Sequence, residues 1–181
     1  MPFAWFNASA EWTIPTWFSV LTMAATGIAC WRQRGAQRVC WRVLGSLFCY
    51  LAIDDLVSLH ERFGALLHPW LGGVGVYTWV FTLGPVFAIL ALICAIKLLR
   101  ALAGEPTRRA CMFLGFAALG IAIGCEGIED AALRSAWQPR GIPLVCYTQW
   151  VEEMLELLGP TLLLAAAWPQ VHAPATAPIS S

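Results

Sequence analysis

Five apolar stretches, each close to the length that crosses a bilayer, constrain this 181-residue chain more than any other feature. They run from about Ile14 to Trp31, Trp41 to Glu61, Val76 to Leu99, Cys111 to Ala131 and Tyr147 to Trp168. A helix needs about 20 residues to cross about 30 Å of hydrocarbon. Inside lipid, every backbone polar group must be satisfied within its own segment. The expected class is therefore all-α: a polytopic membrane bundle of about five transmembrane helices over residues 1–169. The Pro/Ala/Ser-rich segment 170–181 reads as a disordered tail. Only 12% of the residues are charged, where a soluble domain carries about 25%. The opening residues Phe3, Trp5, Phe6 and Trp12 suit an amphipathic piece lying in the interface. They do not suit a cleaved signal peptide, because no basic run precedes them and Ala8-Ser9-Ala10 comes too early. Most of the ten tryptophans fall near helix ends, at headgroup level.

Orientation follows from the basic residues. Arg32, Arg34, Arg38 and Arg42 flank the first connection, and Lys97, Arg100, Arg108 and Arg109 flank the third. The other side keeps Arg62, Arg134 and Arg140. The positive-inside rule puts the first and third connections in the cytoplasm, the N-terminus outside and the C-terminus inside.

The acids show the opposite bias. Nine of the eleven lie in three windows: Asp54, Asp55 and Glu61; Glu126, Glu129 and Asp130; Glu152, Glu153 and Glu156. By the topology above, all nine lie in the outer half of the membrane or at its outer edge. A rise of about 1.5 Å per residue puts Asp54 about 10 Å deep, Glu126 about 8 Å and Glu156 about 13 Å. On helices, Asp54, Ser58 and Glu61 share one face with His60 at its edge. Glu126, Glu129 and Asp130 share another, and Glu152 or Glu153 with Glu156 a third. Wetting at the headgroups accounts for Glu61, Asp130 and Glu152. It does not account for Asp54, Glu126 and Glu156, because deep charges cost several kcal/mol in lipid.

Such faces must converge on one another, on a cavity or on a cation. Oxygen ligands with one imidazole suit Fe, Mn or Zn. The candidate metal ligands are Asp54, Asp55, His60, Glu61, Glu126, Glu129, Asp130, Glu152, Glu153 and Glu156. The Glu-x-x-His pair of bundle di-iron sites is absent. No nucleotide or haem signal is present, and nothing points to nucleic acid. Gly159-Pro160 frees the carbonyl of Glu156 or simply kinks the last helix. Gly84-Pro85 reads as a kink, and Gly120 with Gly124 as a close-packing pair. The seven cysteines form no CxxC pair and read as apolar, inert thiols.

The stretch Ile53-Asp54-Asp55-Leu56-Val57-Ser58-Leu59-His60-Glu61 resembles a motif of small bacterial multi-pass membrane proteins of unknown function, which carry Leu-Asp-Asp followed by His-Glu. Glu152-Glu153-Met154-Leu155-Glu156-Leu157-Leu158-Gly159 is similar to their later acidic motif, with Glu156 where lysine is common. The resemblance implies a bacterial inner membrane and supplies no activity. Membrane hydrolases of the alkaline ceramidase type are a contrast. They hold zinc with three histidines, and this chain lacks three on its apolar helices.

Three functions are consistent with these residues. The first is a metal-dependent membrane protein, acting if catalytic on a lipid-like or periplasmic substrate. The second is a proton- or cation-coupled transport protein. The third is a non-catalytic accessory subunit that pairs with a membrane partner or a second copy. All three require the second, fourth and fifth apolar helices to meet with their acidic faces together. The first and third are expected to be peripheral.

Overall fold

The computed structural model describes residues 14–71, 82–135 and 144–168. The interfacial N-terminal piece and the tail 170–181 lie outside the described residues. Among the described residues the fold is all-α, with six helices: α1 (Ile14–Arg32), α2 (Arg38–Val57), α3 (Leu59–Leu71), α4 (Gly84–Ala101), α5 (Pro106–Ser135) and α6 (Leu144–Ala167). Each apolar stretch carries a helix. The second is divided: it ends at Val57, and a separate helix of 13 residues follows. Ser58 breaks it in a left-handed conformation, φ 49° and ψ 47°. Gly84-Pro85 follows a turn at Leu83 that comes directly after a helical Thr82. It starts α4, with Pro85 in the first turn where its missing N–H costs nothing.

Two helices are long and apolar enough to cross a membrane. They are α4, with mean hydropathy 1.9, and Pro106–Cys125 within α5, with mean hydropathy 1.4. The other three long helices carry more polar side chains. α1 holds Ser19, Thr22 and Thr26; α2 holds Arg38, Arg42, Asp54 and Asp55; α6 holds three glutamates.

Packing departs from expectation at α1. This helix is not peripheral. It packs along α2 on one side and α6 on the other. The most extensive contact is α5 on α6, while α4 lies against α2 and more lightly against α5. The reason for the centrality of α1 is a stripe of small hydroxyl residues at heptad-like spacing. Thr26 is fully buried, and its Oγ1 donates to the carbonyls of Thr22 at 2.8 Å and Pro160 at 3.0 Å. Seven residues on, Gln33 Nε2 donates to the carbonyl of Ala167. Both α1–α6 contacts join residues 134 apart in sequence, so the two helices run parallel and in constant register.

Glycines set the two closest crossings. A Cβ on Gly27 would lie 2.6 Å from Cys49 Sγ and 3.0 Å from the Gly45 carbonyl, so α1 and α2 meet backbone to backbone. A Cβ on Gly115 would lie 2.6 Å from Leu163 Cγ and 3.0 Å from the Gly159 carbonyl, which fixes α5 on α6. Gly120 and Gly124 are not the packing pair: a Cβ on either meets nothing within 4 Å. Trp41 also departs from the interfacial role, being buried in the core at 5% exposure. At the inner end, Arg108 Nε donates to the carbonyl of Ala166 at 2.7 Å and satisfies the C-terminus of α6.

The same substitution should therefore have opposite signs at two glycines of one helix. Gly115→Ala is expected to destabilise by about 1–3 kcal/mol, because neighbouring backbone cannot yield. Gly124→Ala is expected to stabilise by about 0.5–1 kcal/mol through helix propensity. Thermal unfolding of the two variants in detergent measures both.

Candidate functional site

The chemistry gathers where α2 gives way to α3. Asp54 is buried on the last turn of α2, at 6% exposure. The Ser58 N–H donates to its carbonyl at 2.7 Å, which closes the helix. Two residues further, a continuing helix would direct the His60 N–H to Leu56. It goes instead to Asp54 Oδ1 at 2.9 Å. The His60 Nδ1 bonds the other carboxylate oxygen at 2.7 Å. One carboxylate thus caps the N-terminus of α3 and fixes an imidazole. It sits at the positive end of the α3 dipole, where an anion is favoured. A left-handed serine costs about 1–2 kcal/mol. Hydrogen bonds to a charged acceptor, at about 1.5–3 kcal/mol each, offset it.

This arrangement corrects the helical reading of the motif. Asp54, Ser58 and Glu61 do not share a face of one helix, because the helix breaks between them. His60 belongs to α3 and reaches Asp54 by folding back over six residues. Its bond to the carboxylate decides the neutral tautomer: Nδ1 carries the proton and Nε2 the lone pair.

Asp55 is half-buried beside this pair and feels both Asp54 and His60 electrostatically. From α1, the Ser19 hydroxyl is turned toward the Asp55 carboxyl. It is buried and makes no hydrogen bond among the described residues. One turn inward on α2, Tyr50 lies in electrostatic range of Asp54, and its ring packs on Phe87 of α4 with centroids 5.3 Å apart.

The remaining acids are placed by register. The α1–α6 offset brings Ser19 level with Glu153 and Thr22 level with Glu156. Glu152, Glu153 and Glu156 are half-buried on α6. Pro160 inside α6 has no N–H to give to the Glu156 carbonyl. From the contact of Leu119 with Gly159, seven residues outward on each helix put position 126 level with position 152. The side chains of Glu61, Glu126, Glu129 and Asp130 lie outside the described residues.

The expected meeting of the second, fourth and fifth apolar helices is corrected accordingly. Acid-bearing α5 and α6 do pack together, but α2 makes its contacts with α1, α3 and α4. α1 stands between α2 and α6, in contact with both. Among the described residues, no three His, Cys, Asp or Glu side chains are grouped so as to hold a metal ion. Ser19, Thr22, Thr26 and Tyr50 were not singled out from the sequence. The signal for the first three was present in their spacing, which repeats on one helical face.

The comparisons with known proteins bear on family alone. A family model described as Domain of unknown function (DUF8692) matches residues 2–171. The chain belongs to the DUF8692 family. No curated protein and no solved structure matches it.

In this DUF8692 protein the Asp54 carboxylate serves two donors, and an amide can serve one. Asp54→Asn is expected to cost about 1.5–3 kcal/mol. It should also release the tautomer of His60. Nitrogen-15 spectra of the histidine rings should place the proton of neutral His60 on Nδ1 in the native protein and on both nitrogens in the variant. A native ring protonated mainly at Nε2 would contradict the assignment.

Proposed function

We propose that this DUF8692 protein is a multi-pass protein of the bacterial inner membrane. It has five crossing helices, α1, α2, α4, α5 and α6, with the N-terminus outside and the C-terminus inside. Its Asp54–His60 pair takes up and releases protons near the outer surface, in proton- or cation-coupled transport.

Inverted polarity carries the membrane half of this reading. Large apolar side chains are exposed on every long helix, among them Phe18, Leu21, Ile53, Ile89, Leu92, Phe113, Ile121, Met154 and Leu158. Ser19, Thr22, Thr26, Asp54 and Thr148 are buried. Only 22% of α4 is buried although its mean hydropathy is 1.9. Folding against water gives the reverse distribution. The chain directions support the same reading. Five alternating crossings require the first and fifth to run parallel, and α1 and α6 do. The 13-residue α3, with Leu66 and Trp70 exposed, suits a helix lying on the outer surface.

The 2.7 Å bond between Asp54 and His60 carries the site. Imidazole is the side chain whose ordinary titration lies nearest neutral pH. A buried carboxylate on Nδ1 orients the ring and stabilises its cation, and Nε2 exchanges the proton. Asp55, Ser19 and the α6 glutamates supply polar groups at the same level along α1.

Two measurements test the two halves. An alkaline phosphatase fusion within residues 136–143 should be active, and one at Gly104 inactive. In liposomes that carry a trapped pH dye, His60→Ala and Asp54→Asn should each slow proton flux at least about tenfold, the size expected of a lost proton-transfer group. Unchanged flux would remove the dyad from the mechanism.

A divalent metal is the second reading, and one observation favours it. Metal-ligating imidazoles usually donate their other nitrogen to a carboxylate, as His60 does to Asp54. Elemental analysis of protein purified without chelator decides it. Near-stoichiometric Fe, Mn or Zn, lost in His60→Ala, is the expected result on that reading.

A further inference from the structure

The inner connection between α1 and α2 borders an open cavity of about 600 Å³, lined by Gln33, Arg34, Gly35, Ala36, Arg38 and Arg42. Three guanidinium groups around one cavity repel one another. Among the described residues, no carboxylate pairs with any of them. The connection also presents the N-terminus of α2. Its cap residue Gln37 makes no side-chain capping bond, and the Arg38 N–H is met by the Gly35 carbonyl at 3.2 Å. Gly35 turns the chain with φ 103°, a conformation that side chains rarely adopt.

The surroundings of the cavity are apolar. Trp31 and Val39 are 51% and 66% exposed beside it. Arg42 is held over the Trp31 ring, 5.9 Å from its centroid. A ligand suited to this place carries an anion at one end and hydrocarbon at the other.

We propose that this cavity binds the phosphate headgroup of an anionic phospholipid in the inner leaflet. Arg34 and Arg38 grip the phosphate oxygens, with the α2 N-terminus behind them. Arginine matches phosphate through paired N–H donors. The acyl chains follow Trp31 and Val39 down the outside of α1 and α2. The inference rests on the membrane reading above but not on the Asp54–His60 site, which lies at the opposite end of α2.

Thermal unfolding of the full chain in a non-ionic detergent tests it. Phosphatidylglycerol should raise the midpoint, and phosphatidylcholine should not. Arg34→Gln with Arg38→Gln should abolish that rise. Arg100→Gln with Arg109→Gln, on the other inner connection, should retain it. Equal shifts from both lipids would overturn the proposal, as would an undiminished rise in the first double variant or an equal loss in the second. A rise with inorganic phosphate that matches phosphatidylglycerol would assign the cavity to a free anion and overturn the lipid. If the phosphatase fusions report five crossings while phosphatidylglycerol has no effect, this inference alone falls. If the fusions fail, the membrane reading falls with it.

Discussion

The bond from Thr26 to the carbonyl of Pro160 joins two halves that each hold together by other means. α1 and α2 close on Gly27 and Gly45, and α5 and α6 close on Gly115 and Gly159. On the membrane reading proposed above, helices among lipid chains gain nothing from hiding apolar surface from one another. Close backbone approach and hydrogen bonds must do that work. An interhelical hydrogen bond there contributes about 0.6 kcal/mol on average. Thr26 and Gln33 repeat the contact two turns apart, which fixes register as well as proximity. That register sets which residues share a level at the outer end.

Structure and chemistry are inseparable at Asp54. The carboxylate holds the break between α2 and α3, and the same two oxygens orient His60. A serine or asparagine cap could start α3, but neither offers two strong acceptors at once. The imidazole is thus fixed by the backbone turn that carries it, and any loss of the turn moves the ring. Ser19 gives this site a wall from a second helix. Its unpartnered hydroxyl is the one buried side-chain polar atom among the described residues left unsatisfied.

Apolar runs of the right length made all five long helices legible in the sequence, and α5 and α6 were rightly brought together. Three features were hidden, each for a physical reason. The break at Ser58 involves neither glycine nor proline; it accompanies a carboxylate four residues earlier that accepts the N–H of His60, two residues on. The central place of α1 was masked by its low charge. Ser19, Thr22 and Thr26 look neutral in a hydropathy sum, yet they form its buried face. The GxxxG pattern at Gly120 and Gly124 misled because spacing within one helix does not say whether another helix faces it. The glycines that matter, Gly27 with Gly45 and Gly115 with Gly159, pair across an interface rather than along one helix.

The two ends of the α1–α2 pair differ in how far the protein meets its own charges. At the inner end, Arg108 is spent twice, on Glu105 at 2.8 Å and on the α6 carbonyl of Ala166. Arg42 is stacked on Trp31. Arg34 and Arg38 have no such engagement, so the positive charge of that connection is directed outward from the fold. At the outer end, Asp54 is met by His60, while Asp55 has no Lys or Arg partner among the described residues. The 20 residues of α2 separate these ends by about 30 Å. Screening in salt and headgroups acts within about 8–10 Å, so the ends do not neutralise each other. On the proposed reading each finds its counter-charge locally: a fixed anion at the Arg34–Arg38 end, a mobile proton or cation at the Asp54 end. The Gly27–Gly45 crossing lies between them, where a Cβ on Gly27 would come within 3.0 Å of the Gly45 carbonyl and one on Gly45 within 2.8 Å of the Gly27 carbonyl.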